Sequence, residues 1–331
     1  MKVRLSLPQQ FGLFIIILFA LALVPALVST YLVTFFLTLL MYIALAYSWN
    51  FISGYTGYIS FGQIALFGIG SYSCAILILK WNMPWLLAAA TGSLIAGIFA
   101  IPLGLIMLRL KGPYFAVGMM GFFQFLAALA ATWKSLTNGA TGLYLPPVSV
   151  LAHIYFAFLG LAGVLFLVTW KLEHSVFGLR LRSVKEDEEG AESLGINTTF
   201  CKVFAFVVSA LGCGFAGGIQ VFYVSYVDPT IAFPAVLNIT MIIMTLLGGM
   251  GTYLGPLVGA LVLGQISEFL WAHFPYFYLI IYGCLLAFII MFMPSGIMGY
   301  FHKQKMLGGK GAAYSSLTNG AVTLKPANGN R

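Results

Sequence analysis

The feature that most limits the fold of this chain is a series of apolar runs long enough to cross a bilayer. Ten can be marked, at residues 11–29, 31–51, 58–79, 85–108, 113–132, 151–171, 203–225, 235–249, 253–271 and 276–298. A helix needs about 20 residues to cross a hydrocarbon core of about 30 Å. The runs are continuous rather than alternating, which excludes the pattern of a transmembrane barrel. The expected fold class is all-α, a polytopic transmembrane helical bundle of about 8–10 spans. Composition agrees, with 61% hydrophobic and 7% charged residues and a mean hydropathy of +1.00, outside the soluble range. The eighth run is short and ends at Gly248-Gly249-Met250-Gly251. It forms either a tight hairpin with the ninth or a partly re-entrant element. The first run follows Lys2 and Arg4 as a signal peptide would, but its length and the second run close behind it favour an uncleaved span.

Charge sets the expected orientation. With the N-terminus inside, fourteen of the sixteen Lys and Arg residues fall on the cytoplasmic side, leaving Lys80 and Lys134 outside. That asymmetry follows the positive-inside rule, so the net charge of +8 does not point to nucleic acid. Both termini are expected in the cytoplasm. The chain then divides into a cytoplasmic segment 1–10, a transmembrane domain 11–300 and a tail 301–331, rich in Gly, Ser and Asn and expected to be disordered. Six of the eight acidic residues lie between Lys171 and Lys202, so a cytoplasmic loop at 172–202 holds most of the charge.

Within that loop, Arg180, Arg182 and Lys185 precede Glu186-Asp187-Glu188-Glu189, and then Gly190-Ala191-Glu192-Ser193-Leu194-Gly195-Ile196-Asn197. This pattern suits a short helix with i,i+4 pairs, such as Arg182 with Glu186, ended by Gly195 as a cap. It reads equally as a docking element for a soluble partner or as a solvated connector.

Two glycine-rich stretches, Gly54 to Gly70 and Gly248 to Gly264, each begin at an expected cytoplasmic turn. At an offset of 194, Gly54, Gly57 and Gly70 align with Gly248, Gly251 and Gly264, weak support for a repeat. Small residues let membrane helices approach closely, and packing is their first expected role. Lining of a translocation path is compatible with it, with Gly54, Gly57, Gly248, Gly249 and Gly251 as candidates alongside Gln63 and Gln124. The other polar residues in the runs are Asn50, Gln220, Asn238, Gln265 and Glu268. Amides there are expected to bond across helices, and Glu268 is expected at the outer boundary within reach of water. No Gly-Lys-Ser/Thr follows either glycine stretch, so no phosphate loop is present. Cys74, Cys201, Cys213 and Cys284 make no CxxC pair, His153, His174, His273 and His302 make no HExxH, and there is no GxSxG. Neither a metal site, a cofactor nor an enzymatic reaction is indicated.

From Phe177 to Pro229 the chain resembles the LivM-type permeases of ABC transporters for branched-chain amino acids, which carry a closely similar acidic run ending L-G-I-N. GYTGYISFGQIALFGIGSY (Gly54 to Tyr72), LGGMGTYLGPLVGA (Leu247 to Ala260) and KGPYFAV (Lys111 to Val117) match in order, so the resemblance covers about residues 40–298. It implies a bacterial inner-membrane permease subunit that pairs with a second, LivH-like permease, two cytoplasmic ATPases that bind the ATP, and a periplasmic solute-binding protein. The family's docking loop, E-A-A-x-x-x-G, would fall on Glu189-Gly190-Ala191 and Gly195, with Arg182, Glu186, Asp187, Glu188 and Asn197 around it. Gly190 departs from the usual alanine. The implied substrates are branched-chain or other hydrophobic amino acids, with urea, short amides or other amino acids as alternatives inside the family. A stand-alone secondary transporter or channel is the alternative outside it.

Overall fold

The computed structural model describes residues 20–147 and 151–274, with a few isolated positions beyond them. Of the ten expected runs, 276–298 lies outside the described residues almost entirely, and so do the segments 1–10 and 301–331. Of the first run, residues 20–27 are described and helical. The remaining runs form α1 (Thr30–Trp49), α2 (Gln63–Trp81), α3 (Trp85–Met107), α4 (Pro113–Thr132), α5 (Leu151–Glu173), α8 (Thr198–Val224), α9 (Ala235–Gly248) and α10 (Gly255–His273). The charged loop supplies α6 (Val176–Glu186) and α7 (Glu188–Ser193). Among the described residues seven helices are long and apolar enough to cross a membrane, and Gly255–Leu270 is a shorter apolar one.

The longest helix, α8, is the hub of the bundle, and small side chains let its neighbours come close. A Cβ on Gly214 would lie 2.7 Å from Ala96 of α3, and one on Gly217 would lie 2.1 Å from the Phe67 carbonyl of α2. Such backbone contact gives a membrane bundle the dispersion that lipid does not supply. The α9–α10 pair is a tight hairpin: a Cβ on Gly259 would sit 1.7 Å from the Met244 carbonyl. At the end away from the charged loop, Leu143–Tyr144 and Tyr226–Val227 pair as a two-residue antiparallel ribbon.

Two expectations need correction. The third run does not become helical at residue 58. The helix begins at Gln63, because Gly57 adopts φ +79° and the chain from Gly57 to Gly62 is non-helical, with a bend at Phe61. The charged loop does not hold one helix with an Arg182–Glu186 pair. It breaks at Asp187, whose backbone is extended and whose carboxylate caps α7 by accepting from Glu189 N at 3.1 Å. Arg182 turns instead to Glu173 at 2.9 Å.

Candidate functional site

Each helix of the loop region starts from a side-chain cap. Ser175 Oγ accepts from Gly178 N at 3.0 Å, and Asn197 Oδ1 accepts from Phe200 N at 2.9 Å. Such caps satisfy amides that the first helical turn leaves open. Gly195 closes α7 at φ +80°. Its amide donates to Glu192 O at 2.9 Å, while Ile196 N donates to Ala191 O at 3.1 Å, the paired bonds of a Schellman end.

Three sets of contacts fasten this loop to the spans. Glu173, the last residue of α5, binds Arg182 of α6 through Oε1; its Oε2 accepts from Tyr253 N at 2.7 Å and from the Tyr55 hydroxyl at 3.3 Å. Lys185 Nζ donates to the Gly54 carbonyl at 3.0 Å. Burial lowers the Lys185 pKa, with Glu186 acting against and Arg182 with that shift. Glu188 of α7 accepts from Lys202 Nζ and, at 2.7 Å, from the Tyr58 hydroxyl. Lys202 Nζ also donates to the Tyr58 oxygen and to Leu108 O, and lies 4.9 Å from the Tyr58 ring centre. Its side chain is 6% exposed. Burial pushes the Glu188 pKa up, but the hydrogen bonds from Lys202 and Tyr58 outweigh it and hold the carboxyl below its ordinary value. The Lys111–Glu189 pair, 66% and 84% exposed, adds little.

The loop is therefore two-sided. Glu188 and Ala191 face the bundle, while Glu186, Asp187, Glu189, Glu192, Ser193 and Gly195 are exposed. Leu194 is 81% exposed among these acids. An acidic face with one projecting leucine can bind a basic groove that has an apolar pocket.

The glycine turns sit directly beneath. Asn50 lies in a π-helical turn, Asn50–Gly54, that continues α1. Its side chain accepts from Gly251 N at 2.8 Å and donates to Thr252 O at 3.1 Å. The structure thus brings Gly54 and Gly251 together, with Gly248 and Gly249 in the adjoining hairpin and Gly57 against Lys185. Above them the non-helical segment 57–62 goes into the bundle. Gln63 donates to Ser209 Oγ, and Ser209 lies seven residues past Lys202, about 10 Å along α8. Non-helical backbone at that depth must be satisfied by protein or line a cavity. Trp49 Nε1 donates to Ser60 O at 2.8 Å, Ser53 Oγ accepts from Ser60 N at 3.1 Å, and Asn238 Nδ2 donates to Phe61 O. Gly57, Ile59 and Phe61 alternate outward and are exposed. Gln63 Oε1 and Asn238 Oδ1 are buried without a partner. Gln124 lies on the exposed face of α4 and joins none of these contacts.

Sequence reasoning missed Glu173, Tyr58, Lys185 and Lys202 as clamp residues. The signal available was Lys202 itself, a cation in the first turns of an apolar helix that needs a partner when buried.

Apolar helices of spanning length, closely packed around a polar end and a broken span, define a multi-pass membrane protein. The chain belongs to the branched-chain amino acid transport system / permease component family, whose model matches residues 31–291. It is 25% identical over 327 residues to the high-affinity branched-chain amino acid transport system permease protein LivM of Escherichia coli (strain K12), covering 89% of this chain and 76% of that one. Identity to LivM of Salmonella typhimurium is 24% over 299 residues, covering 81% and 70%. Identity to the permease protein LivH of the same organism is 26% over 297 residues, covering 80% and 93%. No solved structure matches.

Proposed function

We propose that this chain is an inner-membrane permease subunit of an ATP-driven importer for branched-chain or other hydrophobic amino acids. It works beside a LivH-like second permease, two cytoplasmic ATPases and a periplasmic binding protein, with both of its termini in the cytoplasm. The loop of α6 and α7 is the coupling element. The observation that carries this reading is its two-sidedness: Glu173–Arg182 and Glu188–Lys202 fix its inner face to the spans, and an acidic face bearing Leu194 points away. A partner that moves α7 then pulls through Glu188 on the start of α8, and through Lys185 on the Gly54 turn. That displacement reaches the non-helical segment 57–62, where Gly57, Ile59 and Phe61 line the proposed path.

The test is co-purification of the ATPases with full-length variants. Leu194→Asp and Glu189→Lys change the outer face, the second also removing the exposed Lys111–Glu189 pair, and should abolish co-purification while membrane insertion is unchanged. ATPases that stay bound to both variants refute the docking assignment.

A further inference from the structure

Among the described apolar helices, Glu268 is the one acidic residue that lies inside a helix rather than at an end or cap. It lies thirteen residues past Gly255, about 20 Å along α10, toward the end away from the charged loop. There α10 and α1 border an open cleft of about 350 Å³. Its polar wall includes Tyr31, Thr34, Thr38 and Glu268, and its apolar wall includes Phe35 and Leu39. Tyr42 and Ser267 also line it, and the hydroxyl protons of Tyr31, Thr34 and Thr38 are already used. The Tyr31 hydroxyl donates to Glu268 Oε1, Thr34 Oγ1 donates to Thr30 O at 3.1 Å, and Thr38 Oγ1 donates to Thr34 O at 3.0 Å. These four side chains thus offer acceptors and a carboxylate. Among the described residues no lysine, arginine or histidine lines the cleft.

A cleft with one carboxylate and no lining cation suits a guest that brings donors and a positive charge. An ammonium group has three donors and no acceptor. The adjacent Phe35 and Leu39 suit an aliphatic side chain. Ionisable groups inside spans are costly, and their retention points to a pathway role. We infer that this cleft receives the ammonium group of the transported amino acid, with Glu268 as its counter-ion, as a station on the outer side of the path. This deepens the importer reading above and rests on it.

The experiment uses the complete complex, with partner permease, ATPases and binding protein, reconstituted in liposomes and supplied with ATP and radiolabelled leucine. Glu268→Gln should lower uptake at least about tenfold, the loss of one charge-assisted contact, with ATPase co-purification as in wild type. Tyr31→Phe removes the same Tyr31–Glu268 bond but keeps the carboxylate, and should retain uptake within about threefold. Glu268→Asp should recover most of the uptake. Wild-type uptake in Glu268→Gln overturns the inference. So does equal loss in Glu268→Gln and Tyr31→Phe, which would make the pair an interhelical tie only. Wild-type uptake that disappears when choline replaces sodium would assign the cleft to an inorganic cation instead. A wild-type complex without ATP-driven uptake refutes the importer reading itself, before any variant is compared.

Discussion

Replacing Glu188 by alanine isolates what holds α7 to the bundle. Lys202 is 6% exposed and Glu188 19% exposed in their side chains, so solvent screens this pair far less than the Lys111–Glu189 pair. Alanine at 188 leaves the Lys202 ammonium buried with only the Tyr58 oxygen and the Leu108 carbonyl. Removing one partner of a buried pair costs about 3–5 kcal/mol. α7 has six residues, too few to stay helical by itself, so the loss should appear as local release of α7 rather than unfolding of the spans. Amide hydrogen exchange over residues 188–196 should accelerate at least about a hundredfold, since about 1.4 kcal/mol is tenfold. Glu189→Ala removes an exposed pair and should change protection by less than about 0.5 kcal/mol. Adding Lys202→Met to Glu188→Ala should restore part of the protection, because the uncompensated charge is gone. Equal effects of Glu188→Ala and Glu189→Ala would refute the burial argument. The pH dependence has a definite sign. A carboxyl with a lowered folded pKa contributes in full above its unfolded value, about 4.3, and loses that contribution as pH falls through the folded value. Protection of α7 should stay level through neutral pH and fall only below about pH 4.

Three further outcomes follow from the geometry. Gly54→Ala places a methyl 2.8 Å from Gly251 N and onto the Asn50 side chain, so thermal stability in detergent should drop by about 1–3 kcal/mol, whereas Gly121→Ala, which meets nothing within 4 Å, should be near neutral. Gly190→Ala gains about 1 kcal/mol of helix propensity, and its methyl meets the flexible end of Asp187 at 2.6 Å; exchange over α7 should slow, and faster exchange would show that the Asp187 cap matters more. Gly195→Ala meets no neighbour but forces a side chain onto φ +80°, which costs about 1–2 kcal/mol and should fray the end of α7 in the same exchange measurement.

Much of the architecture was legible because lipid imposes length. Any run that crosses it must be apolar and continuous, so the runs at 85–108 and 113–132 lie within a residue of α3 and α4. Boundaries failed where a local competitor was strong. Gly57 and Gly62 delayed α2 to Gln63, and the Asp187 cap divided the charged loop. The loop's landmarks, Glu186 to Gly195, were legible as a charge anomaly, and Gly195 ends its helix as its position implied. Which acid meets which base was not. Spacing suggested Arg182 with Glu186, but Glu173 at the end of α5 sits closer in space and is itself ordered by Tyr253 N and Tyr55.

By itself the sequence determined the class, most of the apolar helices among the described residues and the place where charge collects, since these follow from the cost of polar groups in lipid, which each stretch of chain meets alone. Only the tertiary structure decided that the turns at Gly54 and Gly251 touch, that Asn50 joins them, and that Lys202 and Glu188 form the clamp beneath α7. Those contacts link residues from fourteen to about two hundred positions apart. They depend on how closely α2, α8 and the α9–α10 hairpin pack, which is a property of the assembled bundle and of no single segment.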